Sequence, residues 1–98
     1  MKLTQSQLRF LRAQAHHLNP VVLLGQNGLT ENVLAEIDGA LEHHELIKVR
    51  VPGMDREQKH AVIQTISERT GSVLVQQLGH VATLYRHRTR NPGIILPR

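Results

Sequence analysis

Pro20-Val21-Val22-Leu23-Leu24-Gly25-Gln26-Asn27-Gly28-Leu29-Thr30 is the stretch on which the reading of the whole chain depends. Its apolar run, Val21 to Leu24, is bounded by Pro and Gly, the pattern of a buried strand. Thr30 is a good N-cap, and Glu31 falls in the first turn of the helix it opens, where the helix dipole favours an acid. The unit is strand, tight glycine loop, helix. Two glycines three apart allow positive φ and close approach by another chain. Amide N–H groups at a helix N-terminus make a site that favours phosphate. Gly-x-x-Gly alone is a weak signal and is more commonly a plain strand-to-helix turn, so the surrounding chain has to decide between the two.

Upstream, Thr4-Gln5-Ser6-Gln7 fits a capping box, with Leu3 and Leu8 at the two positions of a hydrophobic staple. Leu8, Leu11, Ala15 and Leu18 follow at helical spacing as an apolar stripe. Arg9, Arg12 and His16 share a different face, and Asn19-Pro20 ends the helix. A short connection joins this basic face to the glycine loop, so the two are expected to meet the same anion. As a solvated helix face the stripe would need no ligand.

Downstream, Val33, Leu34, Ile37, Ala40 and Leu41 give a core-facing helix, with Gly39 inside it as the expected mark of a close packing contact. Its acids, Glu31, Glu36, Asp38, Glu42 and Glu45, are expected to be solvated or to complement the dipole. Leu46 to Val51 alternates, with Ile47, Val49 and Val51 on one face and Lys48 and Arg50 on the other, a half-buried strand with a basic face. Asp55 and Gln58 open a third helix, Val62, Ile63 and Ile66 supply its apolar side, and Gly71 closes it. Val73 to Leu78 and Val81 to Tyr85 form two strands turning at Gly79-His80. His87 to Arg98 is a basic extended tail whose Ile94, Ile95 and Leu96 are expected to cover apolar surface.

The order α-β-α-β-α-β-β makes the chain an α/β domain over residues 1–98. Its first two strands are parallel through a right-handed crossover and its last two antiparallel, giving a four-stranded mixed sheet packed with helices.

Composition narrows the function. The 98 residues carry a net charge of +4 and no Cys, which excludes disulfide and thiolate chemistry and suits a reducing cytoplasm. The sequence pI near 10.4 favours an anionic partner. The charge is polarised: residues 1–30 hold Lys2, Arg9 and Arg12 and no acid, residues 31–45 hold the five acids above and no base, and Arg86, Arg88, Arg90 and Arg98 lie near the end. Met1 to Gln7 is too polar for a signal peptide and no apolar run approaches the ~20 residues that span a bilayer, so no membrane association is expected.

Catalytic and metal chemistry find little footing. The adjacent pairs His16-His17 and His43-His44 diverge by about 100° on a helix, poor geometry for a single metal. Ser6, Ser67 and Ser72 sit in no Gly-x-Ser-x-Gly elbow, and no Lys-Ser/Thr follows the second glycine as in a Walker loop. No enzyme, cofactor, metal or small-molecule substrate is expected. With Phe10 and Tyr85 as the aromatic residues, both expected in the core, a sheet that stacks bases on several rings is disfavoured. Contact with RNA would be led by backbone amides, Arg and Lys.

At this point the residues resemble a known family, the CRM domain (chloroplast RNA splicing and ribosome maturation) in its stand-alone bacterial, YhbY-type form. The resemblance spans about the whole chain. It is carried by Leu3-Thr4, Leu11-Arg12-Ala13, Ala15-His16, Pro20 to Thr30, Ala40-Leu41-Glu42, Glu45-Leu46-Ile47-Lys48-Val49, Gly79 and Leu84-Tyr85-Arg86. It implies a fold similar to the C-terminal domain of translation initiation factor 3 and a glycine loop that clamps a nucleic-acid backbone as in KH domains. For the bacterial proteins it further implies association with large ribosomal subunit precursors and a role in ribosome assembly; in plant organelles the same domain appears in group II intron splicing factors. Many family loops carry Lys or Arg between the glycines; here Gln26 and Asn27 stand there, leaving charge to Arg9, Arg12, Lys48 and Arg50.

The resulting expectation is a non-catalytic, cytoplasmic RNA-binding protein that assists large-subunit assembly. Its site comprises Gly25, Gln26, Asn27, Gly28, Arg9, Arg12, His16, Lys48 and Arg50, with RNA as partner, most specifically large-subunit ribosomal RNA in pre-ribosomal particles. The alternatives are a protein-interaction module without direct RNA binding, docking through the acidic helix or Ile94–Leu96, and a DNA-binding protein. Whether Arg86, Arg88 and Arg90 join the RNA surface is open at this point.

Overall fold

Each helix begins where a side chain satisfies its first free amides. A computed structural model describes residues 2–98. Helix α1 (Gln5–Ala15) starts at a complete capping box between Thr4 and Gln7. Strand β1 (Pro20–Leu23) leads through the glycine loop to α2 (Glu31–His44), whose N-cap Thr30 accepts from the Val33 N–H at 3.1 Å. Strand β2 (Leu46–Arg50) follows, then α3 (Arg56–Thr70), which carries a second capping box between Asp55 and Gln58. Gly71 ends α3 in the left-handed region at φ +68°. Strands β3 (Val73–Leu78) and β4 (Val81–Tyr85) complete the chain of elements.

The strands form one sheet in the order β1-β2-β4-β3. β1 and β2 are parallel, while β4 is antiparallel to both β2 and β3. The mixed topology and the Gly79-His80 turn agree with the sequence reading.

Strand alternation splits the core in two. Ile47 and Val49 of β2, with Val22, Leu24, Val51, Ala82 and Leu84, meet Leu34, Ile37 and Leu41 of α2 and Ile63 and Ile66 of α3. Leu46 and Tyr85 face the other way and join Val75, Leu11 and Ala15 beneath α1. Helices therefore cover both faces of the sheet: α2 and α3 one, α1 part of the other. Tyr85 is fully buried and Phe10 partly so. Burial and the nearby Glu45 charge push the Tyr85 phenol above its ordinary value.

Three local expectations are corrected. Helix α1 ends at Ala15 with His16 as its cap, so Leu18 lies outside the apolar stripe and is 38% exposed. A turn in which Leu18 N–H donates to Ala15 O at 2.9 Å follows, so the helix ends ahead of the expected Asn19-Pro20 stop. Gly39 makes no close contact: a Cβ there would meet nothing within 4 Å. Glu45 is no solvated acid but a fully buried one, and it occupies the single residue between α2 and β2 at φ +65°.

The surroundings of Glu45 explain its burial. The tail returns across it, and its carboxylate accepts the N–H groups of Arg88 (3.1 Å), Gly93 and Ile94 (3.1 Å). Ile94 and Leu96 then pack into the α1 core, and Gln7 donates to the Pro97 carbonyl at 3.0 Å. Ile95 points outward, against expectation for that residue alone.

Candidate nucleic-acid interface

The Gly25–Gly28 turn follows directly from how β1 ends. Leu24 is buried in the α2 core, and its N–H donates to Arg50 O at 3.0 Å, extending the β1–β2 pairing by one residue. The chain then turns on itself, with Gly28 N–H donating to Gly25 O at 3.0 Å. Gln26 and Asn27 form the exposed tip. Of the two glycines, Gly28 alone adopts positive φ, at +69°, so the conformational demand falls on one position and not on both. Neither Gly25 nor Gly28 has a neighbour where a Cβ would stand, so the backbone at both is open to a ligand.

Helix α2 starts two residues beyond the turn. Thr30 takes the Val33 N–H, while the first-turn amides of Glu31 and Asn32 have no partner within the helix. The Glu31 carboxylate, which would repel an anion at this mouth, is drawn to Arg69, whose Nη2 lies 3.0 and 2.9 Å from its two oxygens.

Lys48 and Arg50 alternate with Ile47 and Val49, which point into the α2–α3 core, so both cations project onto the face that also carries α1. Arg50 pairs in register with Leu23 and Lys48 with Pro20, so Arg50 stands at the loop end of β1 and Lys48 nearer its start. Neither has an acidic partner among the described residues.

The basic stripe of α1 lies on the same side of the sheet, but its packing gathers at the opposite end, over Leu46, Val75 and Tyr85. His16 caps α1 just before β1 and is separated from Gly25 by that strand, roughly 13 Å for four residues. Arg9 is exposed, and Arg12 reaches back to its own helix, Nε to Leu8 O at 3.4 Å. The loop and α1 thus lie toward opposite ends of one sheet face, with Arg50 and Lys48 between them.

The C-terminal arginines divide by role. Arg86 donates to Asp38 Oδ1 (2.6 Å), Glu42 Oε2 (3.1 Å), Asp38 O (3.1 Å) and Thr70 O (2.8 Å), tying α2 to the end of α3. Arg88 donates to the carbonyls of Glu42 and His43, both at 3.2 Å, and lies 3.6 Å from Glu45 Oε1. These two hold the end of α2, where cations complement the dipole, while Arg90 is exposed. Burial pushes the Glu45 carboxyl up, but the N–H groups of Arg88, Gly93 and Ile94 and the Arg88 charge outweigh it and hold it below its ordinary value. Glu31, Asp38 and Glu42 stay exposed to solvent as expected, and each in addition pairs with an arginine. Among the described residues, no three His, Asp or Glu side chains gather as a metal site.

A family model, that of the CRS1 / YhbY (CRM) domain, matches residues 3–86. The chain belongs to the CRM domain family. The CRM match stops at Arg86, ahead of the tail that closes over Glu45. The chain is similar to a protein of Haemophilus influenzae named "RNA-binding protein", at 55% identity over 96 residues, covering 98% of this chain and 96% of the other. It is also similar to the probable RNA-binding protein PA4753 of Pseudomonas aeruginosa, at 42% identity over 92 residues, covering 94% and 86%. Among solved structures, the solution structure of the Staphylococcus aureus protein SAV1595, described as a candidate RNA-binding protein, matches with a TM-score of 0.84 at 41% identity, covering 98% of this chain and 100% of that one.

Proposed function

We propose that this CRM domain binds RNA without catalysing a reaction on it, and that its cellular role is to assist assembly of the large ribosomal subunit in the cytoplasm. The RNA reading rests on the relatives' names; the observation that carries the mode of binding is that Arg50 stands beside an open Gly25–Gly28 turn with Lys48 further along the strand, both free of acidic partners among the described residues. Phosphates would lie against the turn and the first amides of α2, with Arg50 and Lys48 neutralising the next part of the backbone. Arg9, Arg12 and His16 would extend the track along α1. Gln26 and Asn27 contribute amide donors where a charged residue is absent, so affinity is expected to depend more on the sheet cations than on the loop tip.

The test compares Gly28→Asp with Gly28→Asn. Both residues tolerate the left-handed conformation better than most, so both should fold, and only the former adds a charge. Binding of labelled RNA should weaken strongly for Gly28→Asp and modestly for Gly28→Asn. Equal, unchanged affinity in both would remove the loop from the site. For the cellular role, crosslinking in growing cells followed by sequencing should concentrate reads on large-subunit ribosomal RNA. Reads scattered across transfer and messenger RNA would leave a general RNA binder, and no RNA above background would favour a protein-interaction module.

A further inference from the structure

The face of the sheet that carries α1 is covered at one end and bare at the other. At the bare, loop end, Val21 and Leu23 are 50% and 60% exposed. Their neighbours in the strand, Val22 and Leu24, are buried beneath α2. Leu23 therefore projects on the same face as its register partner Arg50, and Val21 is the extra residue of an irregularity between Pro20 and Val22. Two large apolar side chains on an outermost strand are a liability that proteins usually blunt. Here they are framed by Arg50 and Lys48 and run directly into the Gly25 turn.

The backbone adds a second feature. In a parallel ladder, alternate residues bond to a given neighbour, and the Leu24 N–H is the one that reaches Arg50 O. Leu23, one residue earlier, turns its N–H and C=O to the free edge, since β1 is the first strand of the sheet. One position thus offers an apolar surface, a free donor, a free acceptor and an adjacent cation. A nucleotide in an unpaired strand presents the complement: a flat apolar face, an edge of donors and acceptors, and a phosphate. A duplex hides the first two, and an acidic peptide lacks the flat face.

We infer that Leu23, assisted by Val21, is a contact platform for an unpaired base of single-stranded RNA. The base lies against the Leu23 side chain with its edge toward the Leu23 N–H and C=O, while its phosphate rests between Arg50 and the Gly25–Gly28 turn. This rests on the RNA-binding reading above and adds to it a preference for single strands and a residue that meets bases.

The experiment uses the full chain and three labelled probes: a short single-stranded RNA, the same strand with abasic sites, and its duplex. Wild type should prefer the intact single strand to both others. Leu23→Thr should weaken binding to the intact strand by roughly fivefold, with affinity for the abasic strand and the salt dependence unchanged. Leu23→Trp should tighten binding to the intact strand alone, a gain that misfolding cannot mimic. Arg50→Ala should weaken all three probes and flatten the salt dependence. A wild type that binds RNA but treats intact and abasic strands alike overturns the platform and leaves the RNA reading standing. So does a Leu23→Thr loss of equal size on both strands. A folded wild type that binds none of the probes overturns both.

Discussion

Replacing Glu45 separates two demands that meet at one residue. Its carboxylate accepts three tail N–H groups, from Arg88, Gly93 and Ile94, and its backbone sits at φ +65°. A charge-assisted hydrogen bond contributes about 1.5–3 kcal/mol, and the three are not additive because the freed tail can reach water. Glu45→Ala is expected to cost about 3 kcal/mol, and Glu45→Gln, which keeps the shape and one acceptor, about 2 kcal/mol. Glu45→Gly removes the same carboxylate but relieves the positive φ, so it should be more stable than Glu45→Ala by about 1 kcal/mol.

Urea unfolding at neutral pH gives these differences, and hydrogen exchange at Gly93 and Ile94 reports whether the tail has left. The pH dependence follows from the same geometry. The folded carboxyl is held below its ordinary value near 4.5, so its contribution is fully present above that value and is lost as pH falls through the lower, folded one. Glu45→Gln should therefore flatten the acid limb of the stability curve. A Glu45→Gln variant as stable as wild type, with tail amides equally protected and the acid limb unchanged, would refute the latch.

Gly39→Ala should stabilise the fold by up to about 1 kcal/mol, since the position is an exposed helix interior with no neighbour for the new methyl; denaturant midpoints read it directly. Arg86→Ala should cost roughly 2 kcal/mol, mainly through its bonds to the carbonyls of Thr70 and Asp38, because the carboxylates it pairs with are largely exposed and screened. Much of that loss should therefore persist in high salt. Arg12→Ala should lower the salt slope of single-strand binding by about 0.7 if its guanidinium meets a phosphate, and a slope equal to wild type would take it off the surface.

Local patterns carried most of the fold. Caps at Thr4, Thr30 and Asp55, alternation in Leu46 to Val51 and the glycine after α3 all act within a few residues, and each does locally what its neighbours in sequence imply. Glu45 shows where such reading ends. In sequence it closes an acidic helix and looks solvated; its partners lie 43 to 49 residues away, in a tail with no periodic signal. A one-residue link between a helix and a strand is the one local hint, because reversing direction in so short a space favours an unusual φ. Leu23 escaped for the opposite reason: four consecutive apolar residues read as a strand buried on both faces, and nothing in the run says that α1 leaves one face bare.

The two outcomes are connected through the arginines. A chain with four acids in one helix and a fifth at its end, beside many bases, has to arrange which charges meet. Here the pairing is long-range: Arg69 takes Glu31, Arg86 takes Asp38 and Glu42, and Arg88 turns to Glu45. The cations consumed in this way are Arg69 of α3 and Arg86 and Arg88 beyond β4. Those left without an acid include Arg50 and Lys48 on the bare face of the sheet. Exchanging the two sets, with Arg50 paired and Arg86 free, would leave the net charge at +4 and move the positive field to the back of α2, away from the glycine turn. Net charge alone therefore does not decide where the positive field of the proposed site lies. The α2 acids have their charge compensated on the other side of the sheet by Arg69, Arg86 and Arg88, so removing one of these by Arg86→Ala should reduce RNA affinity at low salt even though Arg86 touches no part of the proposed site.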